Sequence, residues 1–324
     1  MEQTLIDNCE VENKQFIENI FQKVYGVSTE ALNTDEALRS KIRTAVNKLR
    51  EVHKNTATED FIKAVYGDPD CRAAYMFVYY PYHVEPAYRV VSEHVVPRMQ
   101  PKPIIKIECF AGGPCPEILG TAKALFENNL CEKLSINVYD YKNGWFDQQR
   151  ITAKICNEQK IFFKEFHSCQ DYDIRTATAE EKYLNVKMYA DTDIFLVQNY
   201  LSHSDNDENF FRWLSMLAGK AKQNAFFVFI DFKNTWSTFQ KMCDDDFLSK
   251  NGLSVVSSHV SGYALKIKFG FIPVALFKNI FTGEGNFVRK YKTEYYFVVL
   301  KKSLRVSVFK EFSCLSDDDL EGCW

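Results

Sequence analysis

From residue 101 onward, short apolar runs rich in β-branched and aromatic residues alternate with amphipathic stretches of helix length. No other feature of the chain constrains its fold as much. Strands this apolar have to be covered on both faces, and a parallel sheet with crossover helices does that. The expected strands are Ile104 to Cys109, Leu134 to Tyr139, Ile161 to Phe166, Ile194 to Gln198, Phe226 to Asp231, Val255 to Val260 and Tyr295 to Leu300. The expected helices are Glu117 to Asn128, Phe146 to Asn157, Ala179 to Tyr189, Asn209 to Lys222 and Thr235 to Leu248, with no helix between the last two strands.

Residues 1–100 have a different texture. Phe16, Ile17, Ile20, Phe21 and Val24 recur at helical spacing, as do Leu38, Ile42, Val46 and Leu49. Thr56 and Glu59 have capping-box spacing ahead of a third helix, which Gly67 and Asp68-Pro69 should stop. The aromatic stretch 73–97 should be helical in pieces, broken near Pro81 and Pro86. The division expected is a helical cap over 1–100, an α/β domain over 101–312 and a solvated acidic tail over 313–324.

Composition excludes several classes of function. Forty Lys and Arg against 43 Asp and Glu give a net charge of −3, so no global positive field draws the chain to nucleic acid or anionic lipid. The longest apolar runs, such as residues 225–232, fall far short of the roughly 18 residues that cross a bilayer. The acidic N-terminus has no secretory or transit character, so a cytoplasmic location is expected. Ten cysteines without a CxxC pair read as free thiols in a reducing compartment, and six unclustered histidines give no metal site.

The chemistry-bearing stretch is 102–125. A buried strand carrying Glu108 runs into the turn Phe110-Ala111-Gly112-Gly113-Pro114, and a helix then opens near Pro116 and Glu117. In open α/β sheets ligands bind beyond the carboxyl ends of the strands, where a glycine turn lets backbone approach closely. About 25 residues later Asp140 closes the second strand, placed to accept hydrogen bonds from a ribose diol. Trp145 follows, either to cover an adenine or to pack a helix start. Read more plainly, the glycines are a generic strand-to-helix turn and Asp140 an N-cap.

These features, with DIFLVQNYLSH at the fourth strand and YYFVVLKK at the close, resemble the class I, Rossmann-like S-adenosylmethionine-dependent methyltransferases over residues 100–303. The resemblance implies an α/β fold with a seven-stranded mixed sheet of order 3-2-1-4-5-7-6, the last strand antiparallel, and an N-terminal helical cap. It implies S-adenosyl-L-methionine as cofactor. Glu108, Phe110, Gly112 and Gly113 would lie around its methionine part, Asp140 would hold the ribose, and Trp145 and Asp171 would flank the adenine. Gln198, Asn199 and Tyr200 would face the methyl group, and His203 is the candidate proton acceptor nearby. The family's GxGxG turn is altered here, with Phe110, Gly112 and Pro114 at the three places. Residues 73–94, the glycine turn and the fourth strand are also similar to methyltransferase-like proteins of the small ribosomal subunit.

The expected activity is methyl transfer to an unidentified acceptor, for which the acidic isoelectric point of about 6.1 favours a small molecule over nucleic acid. The competing expectation is a catalytically inactive binding or assembly module, RNA- or ribosome-associated, whose glycine turn has decayed. A nicotinamide-dependent oxidoreductase is disfavoured because GxGxxG is absent. The tyrosines at 75, 79, 80, 82 and 88, with Phe77, read either as a substrate pocket or as the seam between cap and sheet, the seam being favoured. Arg289, Lys290, Lys292, Lys301, Lys302 and Arg305 form the one stretch suited to phosphate contacts.

Overall fold

A computed structural model describes residues 2–52, 58–140, 144–169, 172–174, 189–201, 208–232, 236–266, 272–281 and 292–303. The strands and α-helices in order are α1 (Glu2–Tyr25), α2 (Glu36–Val52), α3 (Glu59–Gly67), α4 (Pro69–Val78), α5 (Tyr80–Val90), β1 (Ile104–Phe110), α6 (Pro116–Glu127), β2 (Lys133–Tyr139), α7 (Phe146–Glu158), β3 (Phe163–Cys169), β4 (Ile194–Gln198), α8 (Glu208–Lys220), β5 (Phe226–Phe232), α9 (Trp236–Met242), α10 (Asp245–Asn251), β6 (Leu253–Lys266), α11 (Val274–Leu276), a short helical segment where none was expected, and β7 (Lys292–Lys302). The acidic tail lies outside the described residues, and most of the expected 179–189 helix does too.

The seven strands form one sheet of order β3-β2-β1-β4-β5-β7-β6. β1 to β5 are parallel, and β7 runs antiparallel to both β5 and β6. This is the order and polarity the sequence resemblance implied. Alternation along each central strand sends side chains to two separate cores. On one face Ile107, Cys109, Ile136, Ile194, Leu196, Val228 and Ile230 meet α6, α7 and the cap helices. On the other, Phe110, Phe195, Phe227 and Phe229 meet Phe210, Trp213, Leu217 and Phe239 of α8 and α9. Burying each such side chain contributes about 1.5–3 kcal/mol, so both faces of the sheet drive folding.

Some element boundaries differ from expectation for local reasons. β3 starts two residues late because Ile161 is buried in the approach to the strand, and its Lys164 and Glu165 suit an exposed sheet edge. β6 continues past Val260 to Lys266 by absorbing Ser261-Gly262 in a register shift between His259 and Tyr263. The single helix expected at 235–248 is two, since Asp244 stops one and caps the next by accepting from the backbone of Asp246 and Phe247. The third helix is capped by Thr58, which accepts from the Phe61 amide; Thr56 lies outside the described residues.

The expected break at Pro86 is absent. Pro81 does start a new helix, at its first turn, but α5 runs through Pro86 to Val90. A proline inside a helix withholds one amide and crowds the carbonyl four residues back, here that of Tyr82. The neighbouring carbonyl, His83 O, takes a hydrogen bond from the Gln198 side chain on β4 (2.7 Å). Support from the sheet therefore lies where the helix is weakest.

Candidate functional site

The loops leaving β1 and β2 touch. The Gly112 amide donates to the Tyr139 carbonyl (3.3 Å), and the Gly113 amide donates to Asp140 Oδ2 (2.8 Å). Ala111, Gly113 and Cys115 all have positive φ (53°, 51° and 55°), which lets the chain reverse within a few residues. Gly112 is required by space, since a Cβ there would lie 2.8 Å from Val138 Cγ1 and 2.9 Å from Cys109 Sγ. Gly113 lies under Trp145, the indole 3.6 Å from where its Cβ would be. Trp145 is 6% exposed and also packs on Tyr66 and Tyr75, with ring centroids 5.9 and 5.4 Å apart.

The second half of the site is the carboxyl end of β4. The Gln198 side-chain nitrogen donates to the His83 carbonyl, and the Asn199 side-chain amide meets His83 Nδ1. Asn199 also has positive φ (57°), and its backbone amide donates to Ile230 O. Tyr75 joins the two halves. Its ring stacks on His83 (6.2 Å, 12°) and meets Trp145 edge-on. The cap helices α4 and α5 thus close over the crevice end of the sheet.

Gly112, Gly113, Asp140, Trp145, Gln198, Asn199 and Tyr200 therefore gather at one end of the sheet. Glu108 and Phe110 lie elsewhere. Glu108 is fully buried two residues before the strand end, taking Asn137 Nδ2 on both oxygens (3.0 and 3.1 Å), the Thr192 hydroxyl (3.3 Å) and Lys106 Nζ (3.2 Å). Burial pushes its carboxyl up, against the pull of those partners. Phe110 is buried in the α8-side core, stacked on Tyr139 (4.7 Å, 11°) and edge-on to Trp213 (4.9 Å). Asp171 and His203 lie outside the described residues, as do Arg289, Lys290 and Arg305.

Two residues escaped the sequence reading. Glu117, in the first turn of α6, is buried beneath the glycine turn, accepts from Cys109 Sγ (2.9 Å), and has its pKa raised by burial to about 8. His83 is buried where cap and β4 meet. Only the i, i+8 spacing of Tyr75 and His83 across Pro81 hinted that both face one way. Within the aromatic stretch, Phe77 packs on Phe21 inside the cap (5.5 Å), and the Tyr80 hydroxyl meets Thr152 of α7 (2.9 Å).

The backbone of the glycine turn is largely satisfied internally. Cys115 N donates to Gly112 O (2.6 Å), Gln149 Nε2 to Gly113 O (2.8 Å) and the Thr152 hydroxyl to Pro114 O (2.7 Å). A cavity of about 320 Å³ lies at the opposite, amino end of the strands, lined by Lys102, Lys106, Lys164, Lys222 and Asp193 among others. Lys102 and Lys222 both pair with Asp193 there. Among the described residues no group of His, Cys, Asp or Glu is arranged to hold a metal, and no helix is long and apolar enough to cross a membrane.

No family model matches the chain, and no curated protein does either. Solved structures do. A Listeria monocytogenes protein assigned to the class I S-adenosylmethionine-dependent methyltransferases matches at 12% identity and TM-score 0.43, over 90% of this chain and 88% of its own. The CurJ carbon methyltransferase matches at 9% and 0.44, over 85% and 70%. The N-methyltransferase NodS from Bradyrhizobium japonicum matches at 10% and 0.36, over 69% and 97%. At identities of 9–12% and TM-scores below 0.5 these likenesses assign no function. The strand order and the antiparallel β7 are those of a Rossmann-like mixed sheet.

Proposed function

We propose that the chain is an S-adenosylmethionine-dependent methyltransferase. The observation that carries this reading is the meeting of Asp140 with Gly113 at the carboxyl ends of β1 and β2. Asp140 is partly exposed at the end of β2 and accepts from the Gly113 amide, and in this reading its carboxylate is what a ribose diol would donate to. The residues present fit such a ligand. In this reading Asp140 holds the sugar, Gly112 and Gly113 let backbone lie against the amino-acid part, and Trp145 with Tyr75 walls the crevice. Glu108 acts indirectly, locking β1 to β2 through Asn137. The cofactor supplies a methyl group already activated on a sulfonium. What remains for the chain is to hold donor and acceptor in line and keep water out. Gln198, Asn199 and Tyr200 face the acceptor, and the cap selects it, a small molecule being favoured.

One observation favours a second reading, a binding module without activity. The turn's backbone groups are partnered internally, Pro114 has no amide to offer, and Phe110 occupies the place of a glycine. Calorimetric titration with S-adenosylmethionine and with its demethylated product separates the two. Binding at micromolar to sub-millimolar concentration, with a matching thermal shift, supports the enzyme. Silence up to millimolar ligand leaves the module. Within the first reading, Asp140→Ala should weaken binding by about 1–3 kcal/mol, the cost of unpaired hydroxyls. An unaltered dissociation constant would refute the ribose assignment.

A further inference from the structure

On the α8 side of the sheet, β1 and β2 change character along their length. Near their carboxyl ends they present Phe110 and Tyr139 to the aromatic core. At their amino halves the same face carries Lys106 and Ser135, in register with each other and with Glu165 of β3. Interior strands of a parallel sheet are ordinarily apolar on both faces. Here the polar residues line the cavity of about 320 Å³ at the amino end. Open α/β sheets bind their usual ligands at the other end, where Gly113 and Asp140 lie.

The inner charges of this cavity do not balance. Asp193, buried just ahead of β4, is used on both oxygens: Oδ2 accepts from the Lys106 amide (2.9 Å), and Oδ1 takes the ammonium groups of both Lys102 and Lys222. Lys106 Nζ meets the buried Glu108 (3.2 Å). Three half-buried ammonium groups thus surround two buried carboxylates, an excess of positive charge. Further out, Lys164 lies beside Glu165 (3.6 Å), and Asp191 is exposed, where water screens its charge. An ammonium group drawn out of water without its own counter-ion is costly. Burial, helped by the neighbouring Lys222 charge, holds the Lys102 ammonium below the usual lysine range in spite of its bond to Asp193.

We propose that this cavity is an anion-binding site separate from the crevice, in which Lys102, Lys106 and Lys222 hold the oxyanion group of a small ligand, a phosphate or a carboxylate, with Ser135 beside it. An ammonium group has three donors, and Asp193 takes one from Lys102 and one from Lys222. A second anion between them supplies the counter-charge that one shared carboxylate does not. The cavity has the size of a small-molecule site. Its occupant does not depend on the methyltransferase reading, because the two sites share no residue and lie at opposite ends of the strands.

The test is lysine footprinting of the full chain with sulfosuccinimidyl acetate, read by mass spectrometry, in sodium phosphate, acetate or chloride at equal ionic strength so that screening is constant. Phosphate or acetate at millimolar concentration should slow acetylation of Lys102 and Lys222 at least about threefold relative to chloride, as two-thirds occupancy does. Lys154, exposed on α7 across the sheet, is the control and should not change. Protection by phosphate alone identifies a phosphorylated ligand, and protection by acetate as strong or stronger identifies a carboxylate. Lys222→Gln leaves Asp193 paired with Lys102 and should raise the half-protecting concentration at Lys102 about tenfold, the worth of one charged hydrogen bond. Equal labelling of Lys102 and Lys222 in all three salts overturns the proposal, and so does slowing that Lys154 shares or that Lys222→Gln leaves unaltered. The wild-type footprint decides alone if the variant loses its near-UV circular dichroism.

Discussion

Gly120 sits in the middle of α6 where α5 crosses it, and replacing it by alanine tests how the cap is held. A Cβ at this position would lie 2.2 Å from the Val84 carbonyl oxygen, 2.8 Å from the Tyr88 amide and 3.1 Å from Ala87 Cβ. The two nearest atoms are backbone, so no side chain can swing aside, and α5 would have to retreat by about 1 Å to reach ordinary contact. The Gln198–His83 hydrogen bond that ties α5 to β4 is 2.7 Å long. A retreat of that size along it gives about 3.7 Å, beyond hydrogen-bonding range. Overpacking costs about 1–3 kcal/mol and unpairing the buried amide about 1–3 more. The better helix propensity of alanine returns only about 1. Gly120→Ala should therefore destabilise the protein by about 1–5 kcal/mol, read as a lower urea midpoint by circular dichroism. Gly219, near the end of α8, has nothing within 4 Å of its Cβ position and no positive φ. The same substitution there should stabilise by about 0.5–1 kcal/mol. If both variants gain stability alike, the close crossing of α5 on α6 is not a feature of the protein.

Glu117 gives a pH test. Its carboxyl is raised from 4.5 to about 8 in the folded state, mainly by burial, so it stays protonated when folded and ionises more readily when unfolded. Its contribution is fully present below pH 4.5 and is lost as pH rises to about 8, at up to about 1.4 kcal/mol per pH unit. Glu117→Gln should remove that slope, and parallel urea midpoints for variant and wild type at pH 5.5, 6.5 and 7.5 would show the carboxyl to be ordinary. Phe110→Ala should cost about 3–5 kcal/mol, because the ring is fully buried against Tyr139 and Trp213. A loss under about 1 kcal/mol, measured by urea unfolding, would mean that the aromatic cluster collapses freely around the gap.

The sheet was legible because its signal is periodic and redundant. Strands such as Phe226–Phe232 are apolar on both faces, and only a covered central position explains that pattern. Asp140 and the Gly112-Gly113 turn were legible for a similar reason, since each marks the end of a strand. Misreadings fell where tertiary contacts override local rules. Pro86 looks like a helix breaker until Gln198, 112 positions away, is seen supporting the carbonyl next to the one it crowds. Glu117 looks like an ordinary first-turn acid until the turn folds down on it beside Cys109. His83 carries no sequence mark of its role, because its partners Gln198 and Asn199 come from the far side of the crevice.

Long-range contacts also hold the turn after β1. Of Phe110, Gly112 and Pro114 only one is glycine. The positive φ of Ala111 and Cys115 retains the reversal that glycine would make easy, at a strain of about 1–2 kcal/mol per residue. Gln149, Thr152 and Tyr139 hold the strained turn in place by hydrogen bonds from α7 and β2. The one central glycine kept, Gly112, is the position where a Cβ would strike Val138 and Cys109. Phe110 turns away into the α8-side core and not into the crevice between the two loops. The turn is thus held by a fixed scaffold around it, with the carboxylate of Asp140 at its edge.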